Sequence, residues 1–186
     1  MQAGTVERRL SLRRVVNGLV VVLAGASLVA CDKSGGGASS PGGASPLIGS
    51  PAPTFDLPAV SGGSHADLSS HQGKVVLVDF WATWCGPCKA SFPKYQALSK
   101  KFGDDLVVIG ISEDDESDGI KDFAKETGAT FTLAWDQKKS VASEYHPESM
   151  PTSYVVDKNG LVRFSHEGFR EGDEKDIEAE IKSLAE

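Results

Sequence analysis

The sequence predicts a mixed α/β domain in which helices cover a central sheet on both faces. Three observations predict it. Residues 75–80 and 106–111 are short, nearly continuous apolar runs, as expected of strands buried on both sides. Stretches with helical character separate and follow them. Short strand-like runs around glycine-containing turns form hairpins at the beginning and near the end of this region.

The elements follow in order. From about residue 54 the chain is long enough for one solid core. Phe55-Asp56-Leu57 and Ala66-Asp67-Leu68 flank Ser61-Gly62-Gly63-Ser64, an N-terminal hairpin. Residues 75–80 are the central strand. A helix is expected over 91–102, with a kink at Pro93 and an end at Phe102-Gly103. Residues 106–111 form a second buried strand. The acidic run from Glu113 to Asp118 lacks the glycine and ligand spacing of an EF-hand loop. It is read as acid at the start of a helix that ends near Thr127, where it favours the helix dipole, with Gly128 as the stop. Residues 131–135 read as a short strand and 139–145 as a short helix. Residues 152–157 and 161–165 flank Lys158-Asn159-Gly160, and Asn-Gly between strands signals a hairpin. Residues 173–185 close the chain as an amphipathic helix with Ile177, Ile181 and Leu184 on one face and Asp173 as its cap.

The chemistry is carried by Trp84-Cys85-Gly86-Pro87-Cys88-Lys89, between the central strand and the first helix. Two cysteines two residues apart at a strand-to-helix junction are a redox signal. Cys85 stands where a helix N-terminus leaves N–H groups unpaired and favours negative charge. That stabilises a thiolate, the form that attacks disulfides. Cys88 lies one turn further on, within reach of a short disulfide. Pro87, with its fixed φ and no N–H, suits the first turn.

The N-terminus explains the third cysteine. Arg8, Arg9, Arg13 and Arg14 precede an apolar run over residues 15–30, a signal-peptide pattern too short for a comfortable membrane span. Its end, Leu28-Val29-Ala30-Cys31, resembles a bacterial lipobox. The resemblance implies cleavage before Cys31 and lipid attachment to it, and several acyl chains anchor firmly where one does not. An ordinary cleaved signal or an uncleaved anchor are the alternatives. Residues 31–53, rich in Gly, Ser, Ala and Pro, are expected to be a flexible tether. The leader holds four arginines and Glu7, so of 19 basic and 26 acidic residues 15 and 25 remain, a net charge of −10. No basic patch stands out, which argues against nucleic acid as a partner.

Val78-Asp79-Phe80-Trp81-Ala82-Thr83-Trp84-Cys85-Gly86-Pro87-Cys88-Lys89 is very similar to the active-site segment of thioredoxins. The N-terminal hairpin, Pro93 five residues after Cys88, the inserted strand and helix, and Met150-Pro151-Thr152 look like the TlpA/ResA branch, over about residues 53–186. The resemblance implies a thioredoxin fold and membrane-tethered, extracytoplasmic thiol–disulfide exchange. It implies that Pro151 is the cis-proline facing the cysteines, and that the Met150 backbone pairs with an extended substrate as a strand does. Trp84, Gly86 and Pro87 complete the expected substrate contact surface. Trp81 is expected either to shield the thiols or to belong to the core.

Two departures matter. Many TlpA/ResA-like proteins have Asn at the position of Asp79 and Glu three residues after the second cysteine, where this chain has Ser91. Asp79 instead matches the buried aspartate of thioredoxin. An apolar strand should desolvate it and raise its pKa, making it a candidate base for Cys88; the alternative is a buried acid that serves stability.

Other readings compete less well. Haem attachment needs His where Lys89 stands, and His65, His71, His146 and His166 lack zinc-ligand spacing. A peroxiredoxin-like peroxidase leaves the CxxC unexplained, and a copper module calls for a longer cysteine spacing. The expectation is a monomeric protein-disulfide reductase with no cofactor beyond its own Cys85–Cys88 pair. By resemblance its electrons come from a DsbD- or CcdA-type membrane transporter, and apocytochrome c is a possible client class. A disulfide-forming oxidase is the alternative direction.

Overall fold

The computed structural model describes residues 45–186; the expected signal peptide, Cys31 and the first part of the expected tether lie outside them. The element order is β1 (Asp56–Ser61), β2 (His65–Asp67), β3 (Val75–Trp81), α1 (Gly86–Phe102), β4 (Leu106–Ser112), α2 (Ile120–Thr127), β5 (Thr132–Trp135), α3 (Ala142–Tyr145), β6 (Thr152–Val156), β7 (Val162–Glu167) and α4 (Asp173–Ala185). The strands form one seven-stranded sheet in the order β2-β1-β5-β4-β3-β6-β7. β3, β4 and β5 run parallel, and the remaining pairings are antiparallel. This is the predicted mixed α/β sheet with a thioredoxin-like core.

β3 is central because every one of its seven residues is buried. Alternate side chains of a strand point to opposite faces, and β3 divides the core accordingly. Val75, Leu77 and Trp81 face Phe92, Tyr95, Phe123, Ile177 and Ile181 of α1, α2 and α4. Val76, Val78 and Phe80 face the other side, where Phe55, Tyr145 and Tyr154 cluster. Phe80 meets Tyr145 at 5.1 Å and Tyr154 at 5.8 Å between ring centroids. Each large apolar side chain so buried contributes on the order of 1.5–3 kcal/mol.

Gly110 of β4 sits directly opposite Asp79 and makes room for Trp81. A Cβ there would stand 2.6 Å from Leu133 Cδ2 and 3.0 Å from Trp81 Nε1. Gly110→Ala is therefore expected to lower stability by about 1–3 kcal/mol through overpacking, measured by urea unfolding.

Several boundaries differ from expectation. The tether was expected to reach residue 53, but its last part joins the domain. Gly49 N–H donates to Val162 O at 2.8 Å, Val162 N–H to Ser50 O at 3.0 Å and Ala52 N–H to Gly160 O at 2.9 Å. Backbone pairing with the β7 edge thus overrides the Gly/Pro/Ser composition. α1 begins at Gly86 and runs on through Pro93 to Phe102. α2 begins only at Ile120, with Gly119 as N-cap and Asp122 as the acid of its first turn. The 113–118 run is accordingly not a helix start. α4 is preceded by Gly172 at φ 105° rather than capped by Asp173, whose carboxylate accepts from Arg170 N–H at 2.7 Å. Gly128 ends α2 in the left-handed conformation, as read. The second hairpin forms with its turn held by Asp157, which accepts from Asn159 N–H, Leu161 N–H and Arg163.

Candidate active site

The two cysteines meet where β3 gives way to α1. Cys85 is the N-cap of α1, and its Sγ accepts the Cys88 N–H at 3.2 Å. A sulfur in that position receives an otherwise orphaned helix N–H and the positive end of the dipole. Gly86 and Pro87 occupy the first turn, where Pro87 lacks only a donor that would have had no intrahelical partner. Cys85 and Cys88 are joined as a disulfide, and both are buried. Around them the surface is open: Trp84 is 71 % exposed, and Gly86 and Pro87 are exposed too.

The Met150–Pro151 peptide is cis. Phe80 pairs with Thr152 in the β3–β6 ladder, so Met150 and Pro151 continue past its end, alongside the stretch that leads to the cysteines. Met150 packs on the same core cluster as Cys85 and Cys88.

Below the cysteines lies a buried polar group. Asp79 is fully buried, and neither carboxylate oxygen has a protein hydrogen-bond partner. Desolvation pushes its pKa well above the usual carboxylate range. Ser153 of β6 stands directly across from it and meets Tyr95 Oη at 3.3 Å. Burial, and then the nearby Asp79, push the Tyr95 phenol up. Ser91 Oγ donates to Cys88 O at 3.2 Å. Cys88, Ser91 and Tyr95 are all buried along α1, at the three- and four-residue spacing of a single helix stripe, and Tyr95 of that stripe lies close enough to Asp79 to feel its charge. The place expected for Glu in the branch is thus filled by the Ser91 hydroxyl, while the acid comes from the sheet.

The flanking residues separate into distinct roles. Trp81 packs against Phe92 and Phe123 at centroid distances of 4.7 and 4.5 Å, a core position. Lys89 Nζ is paired with Glu126 at 3.0 Å on the surface. Thr83 Oγ1 donates to Asp114 at 2.8 Å, so its hydroxyl is committed there.

Asp114 was missed as a contributor by the sequence reading. Its buried carboxylate accepts from Thr83 N–H, from Thr83 Oγ1 and from Ser112 Oγ. Its carbonyl accepts from Trp135 Nε1 and Lys139 Nζ. It therefore clamps the loop that presents Trp84 and Cys85. The signal in the sequence was an acid two residues past the end of a buried strand, which the neighbouring acids obscured. Beside it, burial lifts Glu113 to about 7. Asp114→Ala is expected to cost about 1–3 kcal/mol, since it leaves the Thr83 N–H unpaired. It should also slow Cys85 alkylation several-fold; thermal unfolding and iodoacetamide kinetics check the two parts.

Residues 48–165 match the family model described as the AhpC/TSA family. The thiol-disulfide oxidoreductase ResA of Geobacillus kaustophilus is 34% identical over 140 residues, covering 74% of this chain and 78% of that one. The chain belongs to the TlpA/ResA-like thioredoxin family. Another relative within reach of this ResA-like chain is the thioredoxin-like protein YneN of Bacillus subtilis, 35% identical over 123 residues, covering 64% of this chain and 71% of that one. Among solved structures, one described as the thiol:disulfide interchange protein DsbE from Chlorobium tepidum superposes with a TM-score of 0.66 at 36% identity, covering 73% of this chain and 96% of that one. With its CxxC pair at a helix N-terminus, this ResA-like protein is a thiol–disulfide oxidoreductase.

Proposed function

We propose that this protein reduces protein disulfides outside the cytoplasm, tethered to a membrane by lipid on Cys31. The observation that carries the redox part is Cys85 as helix N-cap, its sulfur held by the Cys88 N–H and framed by exposed Trp84, Gly86 and Pro87. In the reduced protein the Cys85 thiolate attacks a substrate disulfide and forms a mixed disulfide, releasing one substrate thiolate. Asp79, directly or through water, takes the proton from Cys88. The Cys88 thiolate then attacks Cys85 Sγ, the second substrate thiolate leaves, and the Cys85–Cys88 disulfide remains. Two electrons pass from the dithiol to the substrate, and no metal or organic cofactor is called for. The Met150 backbone, beside Pro151, offers an edge for an extended client.

The leader and Leu28-Val29-Ala30-Cys31 support the anchor. Among the described residues no helix is long and apolar enough to cross a membrane. Recharging in an oxidising compartment calls for a membrane thiol donor of DsbD or CcdA type. Apocytochrome c, with its CxxCH thiols, is the client class we favour. Gly86-Pro87 is the dipeptide of thioredoxin, which is strongly reducing at about −270 mV, against about −120 mV for DsbA. Equilibration of the Cys85/Cys88 couple with glutathione is expected to give a potential nearer the first; a value near the second makes the protein an oxidase. Loss of membrane association in Cys31→Ala checks the anchor.

A further inference from the structure

Asp79 is closed off from solvent, so a proton it takes from Cys88 needs a way out in every cycle. One face of the sheet supplies a row of polar groups. Asp79 of β3 is directly opposite Ser153 of β6, and Ser153 is directly opposite His166 of β7. Opposed residues of antiparallel strands share a face, with Cβ atoms roughly 4.5–5.5 Å apart. The next row on the same face, Leu77, Val155 and Phe164, is apolar. Tyr95 lays its hydroxyl on Ser153 from α1. At the outer end His166 Nε2 meets Glu180 Oε2 of α4 at 2.7 Å, with side chains 12% and 20% exposed. Polar groups buried in a sheet cost stability unless partnered, yet here they share one row from Asp79, whose carboxylate has no protein partner, to the edge strand, with hydrogen bonds at Tyr95–Ser153 and His166–Glu180.

We propose that Ser153, Tyr95 and His166 form the route by which Asp79 returns its proton to solvent. The inference rests on Asp79 acting as the base for Cys88. Hydroxyls both donate and accept. Protonated Asp79 gives its proton to the Ser153–Tyr95 hydroxyl pair, which passes one of its own to His166. The imidazolium then releases the Nε2 proton to Glu180 and so to water; the hydroxyls rotate back and the ring returns to its starting tautomer by proton exchange with water, at no net cost in protons. One proton moves and no electrons do. The charged surroundings are few. Glu180 faces His166 from α4, and Asp173 acts on Tyr95 from the start of α4. Glu167 follows His166 on β7 and therefore points to the other face. Lys94 and Lys101 of α1 are paired with Glu174 and Glu178.

The test is single-turnover kinetics of the full chain with a small disulfide substrate, separating attack by Cys85 from resolution by Cys88. Ser153→Ala and His166→Gln are expected to raise the ratio of attack rate to resolution rate at least about tenfold, below the ~10²–10⁴ of a general base itself. They should also change the pH profile and the solvent deuterium isotope effect of resolution, which a purely structural role would leave alone. Ser153→Thr, which keeps the hydroxyl, is expected to restore the rate. His166→Gln lies at the sheet edge and carries the test if Ser153→Ala does not fold. If Asp79→Asn slows resolution while neither relay variant does, the route is wrong and the proton leaves by the active-site mouth. If Asp79→Asn itself leaves resolution unchanged, the base and the route both fall.

Discussion

Replacing Cys85 by alanine is expected to abolish disulfide reduction, by more than about 10⁴-fold, while Cys88→Ser is expected to stop the reaction at the mixed disulfide. The asymmetry follows from where the sulfurs sit. Cys85 caps α1 and borders the exposed Trp84, Gly86 and Pro87, so it is the sulfur a client can reach. Cys88 is in the first turn and completely buried, so it meets only what is already bound to Cys85. In the reduced protein the Cys88 N–H and the helix dipole both favour the Cys85 thiolate, and its pKa is expected below the ~8.5 of free cysteine. Alkylation of the reduced protein against pH, with peptide mapping, reads this directly. If Cys85 reacted no faster than free cysteine at pH 7, the electrostatic account would fail. In Cys88→Ser a serine hydroxyl cannot displace the client, so client proteins should be recovered as adducts that dithiothreitol releases. Recovery of the same adducts through Cys85→Ser instead would invert the assignment.

How much of this was legible depended on whether the information was local. Residues 75–80 and 106–111 announced themselves because a strand buried on both faces must be apolar throughout. The cysteines were legible because a helix N-terminus acts on the residue next to it. The apolar pattern alone started α1 only at residue 91, since Gly86 and Pro87 are weak helix formers, while the cysteine motif and Pro87 already marked the first turn that the structure shows. Asp114 could not be separated from the acids around it until β3 and β4 were seen side by side, with Thr83 and Ser112 both in reach of its carboxylate. Ser153 and His166 look like ordinary polar residues in short strands. Ser153 aligns with Asp79 only through the pairing of β3 with β6, about 70 residues further along the chain, and His166 joins that row through the register of the β6–β7 hairpin. The order of residues 45–53 likewise comes from pairing with a strand far along the chain.

Asp79→Asn is expected to do two opposite things: stabilise the fold and slow resolution. Asp79 lies in the most buried strand with no hydrogen bond to either oxygen, and burial raises its pKa well above the carboxylate range. The folded protein therefore holds a proton that the unfolded chain releases above about pH 3.9. Stability attributable to this group is fully present below that pH. It is lost as pH rises through the folded pKa, because the unfolded state gives up its proton first. Asparagine carries no such slope. The variant should thus match the wild type near pH 3.5 and exceed it at pH 8, by about 1–3 kcal/mol for removing an unpartnered buried acid; urea unfolding at the two pH values measures the difference. Resolution by Cys88 should fall by about 10²-fold or more, the effect of losing a general base, and lose the rise with pH that accompanies Asp79 ionisation. Glu113, lifted to about 7, titrates on the same side of the molecule, so Glu113→Gln belongs in the experiment: it should leave the resolution profile in place. A stabilised Asp79→Asn protein that resolves at the wild-type rate with the wild-type profile would reduce Asp79 to a costly core residue. Gain in stability with loss of rate is the signature of an acid kept in the core for its chemistry.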